Sequence, residues 1–197
     1  RFDCLFTSPP YNVDVQYDTH NDYERSAEEY IAWLRGICGA WAGHMKEGRA
    51  FIWNIGASKR TYPHHHAVML ESVGLSMFRQ YIWKKVGVPV PFWYHTQLKR
   101  AARYVTSNFT HEMVYVYAKG DLQEGPLVTF DDALEHDVLT INQTAATRDV
   151  PDGATKTGAG EVINLDRRAM KAHPAVFPVE LARAFLQNYT APGELVV

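Results

Sequence analysis

The chain has 197 residues, 46% hydrophobic and 21% charged, enough for one globular domain with a core of its own. No 18-residue apolar run occurs and the opening Arg-Phe-Asp-Cys has no signal-type leader, so neither a membrane span nor export is expected. A net charge of −2 excludes a uniformly basic nucleic-acid binder, but the average hides an uneven distribution.

In chain order, Cys4, Leu5 and Phe6 read as a buried strand within residues 2–7. It stops at Thr7-Ser8-Pro9-Pro10-Tyr11-Asn12. Two prolines forbid further ladder pairing, because neither has an N–H and each fixes φ. Ser26-Ala-Glu-Glu29 has capping-box spacing and opens an amphipathic helix. Tyr30, Trp33, Leu34, Ile37, Cys38, Trp41 and Met45 fall on its buried face. Residues 50–55 ("AFIWNI") read as a second buried strand, and His64 to Val73 as a short helix stopped by Gly74. Leu75 to Lys85 and Glu112 to Lys119 read as further strands, and a helix is expected from Pro178 to Tyr189. The closing "APGELVV" is a turn followed by the first residues of another strand. Alternating strands and helices predict an α/β sheet with right-handed crossovers.

From Arg79 to His111 there is no acid, while Arg79, Lys84, Lys85, Lys99, Arg100 and Arg103 are basic. Phe92, Trp93, Tyr94, Tyr104 and Phe109 are interleaved with them. Cations among aromatics can follow phosphates and stack on bases; a solvated loop with core aromatics is the plainer reading. Residues 86–110 are irregular and Pro-rich, and 120–165 are polar, as in an accessory region or lid. Cys4 and Cys38 lack CxxC spacing and are expected as reduced core thiols. His64, His65 and His66 are adjacent on a helix and do not face one ligand, so no metal is expected and the triplet is placed at the surface.

Ligands in open α/β sheets bind beyond the carboxyl ends of strands, where Ser8 to Tyr11 are placed. The residue before a proline is pushed to extended backbone, so the corner presents the Ser8 hydroxyl and the Ser8 and Pro9 carbonyls as acceptors. An exocyclic amine, with two N–H donors, suits such a site, and Tyr11 offers a flat face for a base. Ser8 lacks the GxSxG elbow of an acyl-transfer nucleophile. Neither cysteine follows a proline, as the nucleophile of C5-cytosine methylation does.

"TSPPYN" resembles motif IV of the DNA amino-methyltransferases, which act on N6 of adenine or N4 of cytosine. "KAHPAVFPVELARAFLQNY", residues 171–189, resembles their motif X, and "HEMVYVYAKG" the strand before their target-recognition region. Motif IV before motif X is the order of the β group. The resemblance implies a Rossmann-like class I methyltransferase sheet of α/β type with an inserted target-recognition region. It is expected to be incomplete, because the chain stops before the Gly-rich cofactor loop of that pattern. Residues 1–119 would form the catalytic half, with 84–110 facing DNA; 120–165 would be the recognition region, and 166–197 the motif X segment leading to the cofactor half.

The implied cofactor is S-adenosyl-L-methionine, held by Thr7, Ser8, His173, Pro174, Phe177, Pro178 and Glu180. The implied catalytic residues are Ser8, Pro9, Pro10 and Tyr11, acting on a base flipped out of double-stranded DNA. No residue is nominated as a general base. Lys84, Lys85, Lys99, Arg100, Arg103, Asn142, Gln143 and Arg148 are the expected DNA contacts. Ser at the first motif position favours N4-cytosine, with N6-adenine the alternative and a catalytically silent DNA-binding module a further one. A cytoplasmic enzyme of prokaryotic or phage type is implied, completed by a C-terminal cofactor half or a dimer partner.

Overall fold

The structure, a computed structural model, describes residues 1–12, 25–58, 60–85, 100, 109–123, 131–141 and 178–197. Apolar runs form the middle of one mixed sheet. Its strands are β1 (Leu5–Thr7), β2 (Ala50–Ile55), β3 (Ser76–Lys84), β4 (His111–Ala118) and β5 (Val138–Leu139). Their spatial order is β1-β2-β4-β3-β5. β1 and β2 are parallel, whereas β4 runs antiparallel to both β2 and β3. The expected crossover strands are present, but an antiparallel strand is inserted between two of them. A β-bulge between Met77 and Arg79 shifts the β3 register.

Every residue of β2 is buried, as expected of a strand covered on both faces. Its side chains alternate between two clusters. Phe51, Trp53 and Ile55 join Leu5, Tyr115 and Tyr117 against α1 (Ala27–His44) and α2 (Pro63–Ser72). Ala50 and Ile52 join Cys4, Val114 and Val116 against α3 (Val179–Tyr189). A one-residue slip would exchange the two sets, so packing fixes the register.

The Ser26 capping box forms in full: its hydroxyl accepts from Glu29 N at 3.2 Å, and the Glu29 carboxylate accepts from Ser26 N at 2.8 Å. Helix α1 buries Tyr30, Leu34, Cys38 and Ala42, with Trp33, Ile37 and Trp41 half-buried beside them. Truncating Leu34 to Ala should therefore cost about 2–5 kcal/mol. Both cysteines are buried, and burial pushes both thiols up to about 12.

The closing segment takes up strand pairing as expected. Val196 bridges Cys4 in parallel, Phe6 N donates to Val197 O, and Val197 N donates to Cys4 O. Below it, Asp3 accepts from Lys46 at 2.8 Å and from Leu195 N at 3.1 Å. Arg49 pairs with Glu194 at 2.7 Å. Phe78 packs on Tyr189 and Tyr81 on Phe185, so α3 runs opposite to β3. The first turn of α3 consequently lies toward the carboxyl ends of the parallel strands.

Two expectations need correction. Within 120–165, residues 131–141 are part of the main fold: β5 pairs with β3, and Leu134, Leu139 and Ile141 are buried against Trp83 and Phe185. Trp83 Nε1 donates to Ile141 O at 2.9 Å, which ties this stretch to the core. His66 is buried, not at the surface, because its helix packs that face on β2, where Trp53 Nε1 donates to its Nδ1 at 3.3 Å. No helix among the described residues is long and apolar enough to cross a membrane.

Candidate active site

The corner at the end of β1 is held from several sides. Tyr30 of α1 donates its hydroxyl hydrogen to the carbonyl of Pro10. Asn12 adopts a left-handed φ of 57° and donates from Nδ2 to Arg25 O at 3.2 Å. Arg60 Nη1 reaches the same carbonyl at 2.5 Å. Pro9 is buried, while Ser8 and Tyr11 are half-buried. Among the described residues nothing donates to the Ser8 or Pro9 carbonyls.

Tyr11 is turned toward the sheet by its hydroxyl. That oxygen accepts from Ser8 Oγ at 3.0 Å and lies 2.8 Å from Glu112 Oε2 and 3.3 Å from Asn54 Oδ1. The other Glu112 oxygen is paired with Lys85. Burial and the Glu112 charge push the Tyr11 hydroxyl well above the usual phenol range. The ring is seated over Gly56: a Cβ there would stand 2.9 Å from Tyr11 Cε2 and 3.3 Å from Glu112 Cγ. Sequence reasoning missed Glu112, Asn54, Tyr30 and Gly56. A signal existed for two of them, since Glu112 is the first acid after the acid-free run and Asn54 the lone polar residue in "AFIWNI".

Of the residues expected to hold the cofactor, Thr7 and Ser8 end β1, and Pro178 and Glu180 open α3, whose first turn lies toward that end of the sheet. His173, Pro174 and Phe177 lie outside the described residues. Helices α1 and α3 pack on opposite faces of the sheet, α1 following β1 in sequence and α3 leading into the 195–197 segment paired beside it. Glu180 carries a buried Oε2 without a hydrogen-bond partner among the described residues. A cationic group suits that oxygen, and S-adenosyl-L-methionine carries both a sulfonium and an ammonium. The donor set present fits it.

The expected DNA contacts separate. Lys84 and Arg100 are exposed. Lys85 is drawn back instead, paired with Glu112 and placed over the Trp83 ring at 5.2 Å. A buried carboxylate needs a cation, and Lys85 is the one that supplies it. Lys99, Arg103, Asn142, Gln143 and Arg148 lie outside the described residues. Beside Glu112, a cavity of about 220 Å³ is lined by Tyr62, His64, Phe109, His111 and Tyr115, among others. No metal-binding cluster occurs among the described residues. Burial holds the His66 imidazole down at about 3, so it is neutral, and its Nε2 has no hydrogen-bond partner among the described residues.

The mixed α/β sheet is that of class I DNA methyltransferases, and known structures share it. The PvuII DNA methyltransferase, which is cytosine-N4-specific, matches 99% of this chain over 66% of its own, with 17% identity and a TM-score of 0.65. TTHA0409 of Thermus thermophilus, assigned as a DNA modification methylase and solved with S-adenosyl-L-methionine, matches 99% of the chain over 69% of its own. Its identity is 15% and its TM-score 0.57. The M1.HpyAVI complex with SAM matches 100% of this chain over 69% of its own, at 15% identity and a TM-score of 0.51. The chain therefore spans about two thirds of the length of these relatives. By sequence, no curated protein matches it. The model of the N6/N4 DNA methylase family matches residues 2–197, and the chain belongs to that family.

Proposed function

We propose that the protein containing this chain transfers a methyl group from S-adenosyl-L-methionine to the exocyclic amine of a base flipped out of double-stranded DNA, with N4 of cytosine the favoured target. The observation that carries this reading is the corner itself. Ser8 and Pro9 present acceptors with no competing donor among the described residues, at the carboxyl edge of β1, the end of the sheet toward which the first turn of α3 lies. Bound there, the cofactor supplies an electrophilic methyl group on sulfur. The amine is a poor nucleophile because its lone pair is delocalised into the ring. Accepting its two N–H bonds at Ser8 and Pro9 favours a pyramidal nitrogen and aims the lone pair, so positioning and electrostatics lower the barrier. Tyr11 provides the surface on which the flipped base rests.

Lys84, Lys99, Arg100 and Arg103 would follow phosphates, and Asn142, Gln143 and Arg148 would read base edges. The cytosine preference draws support from the Ser-Pro-Pro-Tyr motif and from the specificity of the PvuII enzyme, both matters of likeness. Expressing the full-length protein in a host free of DNA methylation, then identifying modified nucleosides by mass spectrometry, tests it. N4-methylcytosine is the expected product. N6-methyladenine alone would move the target base, and no modified nucleoside would favour the silent DNA-binding module.

A further inference from the structure

We propose that Glu112 is a positioning residue that fixes the direction of the hydrogen bonds at the corner, so that Ser8 Oγ meets the substrate only as an acceptor and the site reads an amine rather than a carbonyl. The proposal rests on the amino-methyltransferase reading for its substrate, but its first premise concerns this chain alone.

The direction follows from two groups that can only accept. Asn54 donates from Nδ2 to the carbonyl of Met113 at 3.2 Å, and a carbonyl cannot donate. Its Oδ1 is thereby the atom facing Tyr11, at 3.3 Å. Glu112 faces the same hydroxyl with a carboxylate oxygen at 2.8 Å, and its other oxygen is held by Lys85. An ammonium on one carboxylate oxygen can only donate, so Glu112 faces Tyr11 as the acceptor of the pair. Tyr11 must therefore donate toward Glu112, the shorter and charged partner. Its oxygen can only accept on the side of Ser8, 3.0 Å away, so the Ser8 proton points inward.

A serine hydroxyl by itself can donate or accept, and would tolerate a base carrying either an amine or a carbonyl. With its proton committed to Tyr11, Ser8 has only lone pairs left for the substrate. It then acts as an anionic side chain would, without carrying a charge beside the cofactor site. Glu112 reaches this position because β4 lies between β2 and β3, opposite Trp83 and beside Gly56. Any side chain at Gly56 would close the gap through which Tyr11 and Glu112 meet.

The test has two arms. In the first, tyrosines labelled with ¹³C at Cζ are titrated by NMR, with the Tyr11 line assigned from Tyr11→Phe. Wild-type Tyr11 should stay protonated to the upper pH limit of folding, and Glu112→Gln should move its ionisation to lower pH while other tyrosine lines hold. An unchanged Tyr11 line overturns the proposal. In the second arm the full-length protein binds duplexes carrying cytosine or uracil, or adenine or hypoxanthine, at the methylated position. Wild type should favour the amine-bearing base. In Glu112→Gln, Lys85 holds the amide oxygen and turns the NH₂ toward Tyr11, so that preference should fall by about tenfold. Glu112→Asp should restore part of it. Equal weakening toward both bases would mean that Glu112 merely supports the loop, and would overturn the proposal. A shifted Tyr11 line with no base preference in wild type would instead count against the methyltransferase reading, while supporting the proton order.

Discussion

Tyr30 donates its hydroxyl hydrogen to the carbonyl of Pro10, across 20 residues of sequence. The bond joins the first turn of α1 to the corner that follows β1, and it occupies the one corner carbonyl that is not directed to the substrate in the proposed reaction. Removing the hydroxyl leaves the ring in the core and the Pro10 carbonyl unpaired. Tyr30→Phe should therefore cost about 1–3 kcal/mol of stability. In the full-length enzyme it should also slow methyl transfer more than it weakens DNA binding, because Ser8 and Pro9 lose their fixed placement. Urea unfolding and single-turnover rates measure the two effects, and a variant matching wild type in both would refute the anchoring role.

Ser8→Ala removes one acceptor for the reacting amine and leaves the backbone acceptors in place. The loss should fall on the transition state, with kcat reduced by about 10- to 100-fold and DNA affinity within about twofold. Equal losses in rate and affinity would show that Ser8 shapes the loop instead of contacting the amine.

Gly56 sets the depth at which Tyr11 sits. An added Cβ meets Tyr11 Cε2 at 2.9 Å and Glu112 Cγ at 3.3 Å, and neither neighbour is free to move, since the tyrosine is held by its hydroxyl and the carboxylate by Lys85. Gly56→Ala should destabilise the fold by about 1–3 kcal/mol. It should also shift the Tyr11 NMR line, where a remote Gly→Ala substitution would not. An unperturbed Tyr11 line would mean that the ring has room elsewhere.

These side-chain relationships mark where sequence reading stops. Helix α1 was legible end to end, because the Ser26–Glu29 box and the spacing of Tyr30, Leu34 and Cys38 are local signals. The corner was legible as well, since two prolines after an apolar run can hardly continue a strand. Glu112 was not, because it lies 101 residues from Tyr11 and meets it only through the order β2-β4-β3, which periodicity does not encode. His66 was misplaced for a related reason: a His-His-His run looks polar, yet the third ring falls on the face that packs against Trp53. Lys85 was assigned by charge to the surface, and only the sheet order shows that a buried carboxylate lies within its reach.

His66 makes stability depend on pH in a defined window. Burial lowers its folded pKa to about 3, while the unfolded chain binds a proton near the ordinary value of 6.5. Between those values the unfolded state holds more protons, so stability is full above about pH 6.5 and declines as the pH falls toward 3, by at most about 1.4 kcal/mol per pH unit from this group. His66→Gln keeps an acceptor for Trp53 Nε1 and cannot titrate. It should flatten the decline between about pH 6.5 and about pH 4.5, a range above the ordinary carboxylate values. Denaturant midpoints across that range measure the slope, and identical slopes in the two proteins would show that His66 is protonated in the folded state.

Lys84 and Lys85 are neighbours in sequence but should fail in different ways. Lys84 is exposed at the end of β3, whereas Lys85 is paired with Glu112 and lies over Trp83. A lysine that neutralises one phosphate adds about one unit to the salt dependence of binding, whatever the DNA sequence. Lys84→Gln should lower affinity for all duplexes and reduce the slope of log K against log salt by about one unit. Lys85→Gln should leave that slope nearly unchanged. It should instead destabilise the fold, because Glu112 loses the cation that compensates its burial, and removing one partner of a buried pair costs about 3–5 kcal/mol at full burial and less at this half-open site. Binding isotherms at several salt concentrations, read beside unfolding curves, separate the two. A reduced salt slope in Lys85→Gln with unchanged stability would return Lys85 to the DNA surface and leave Glu112 without its partner.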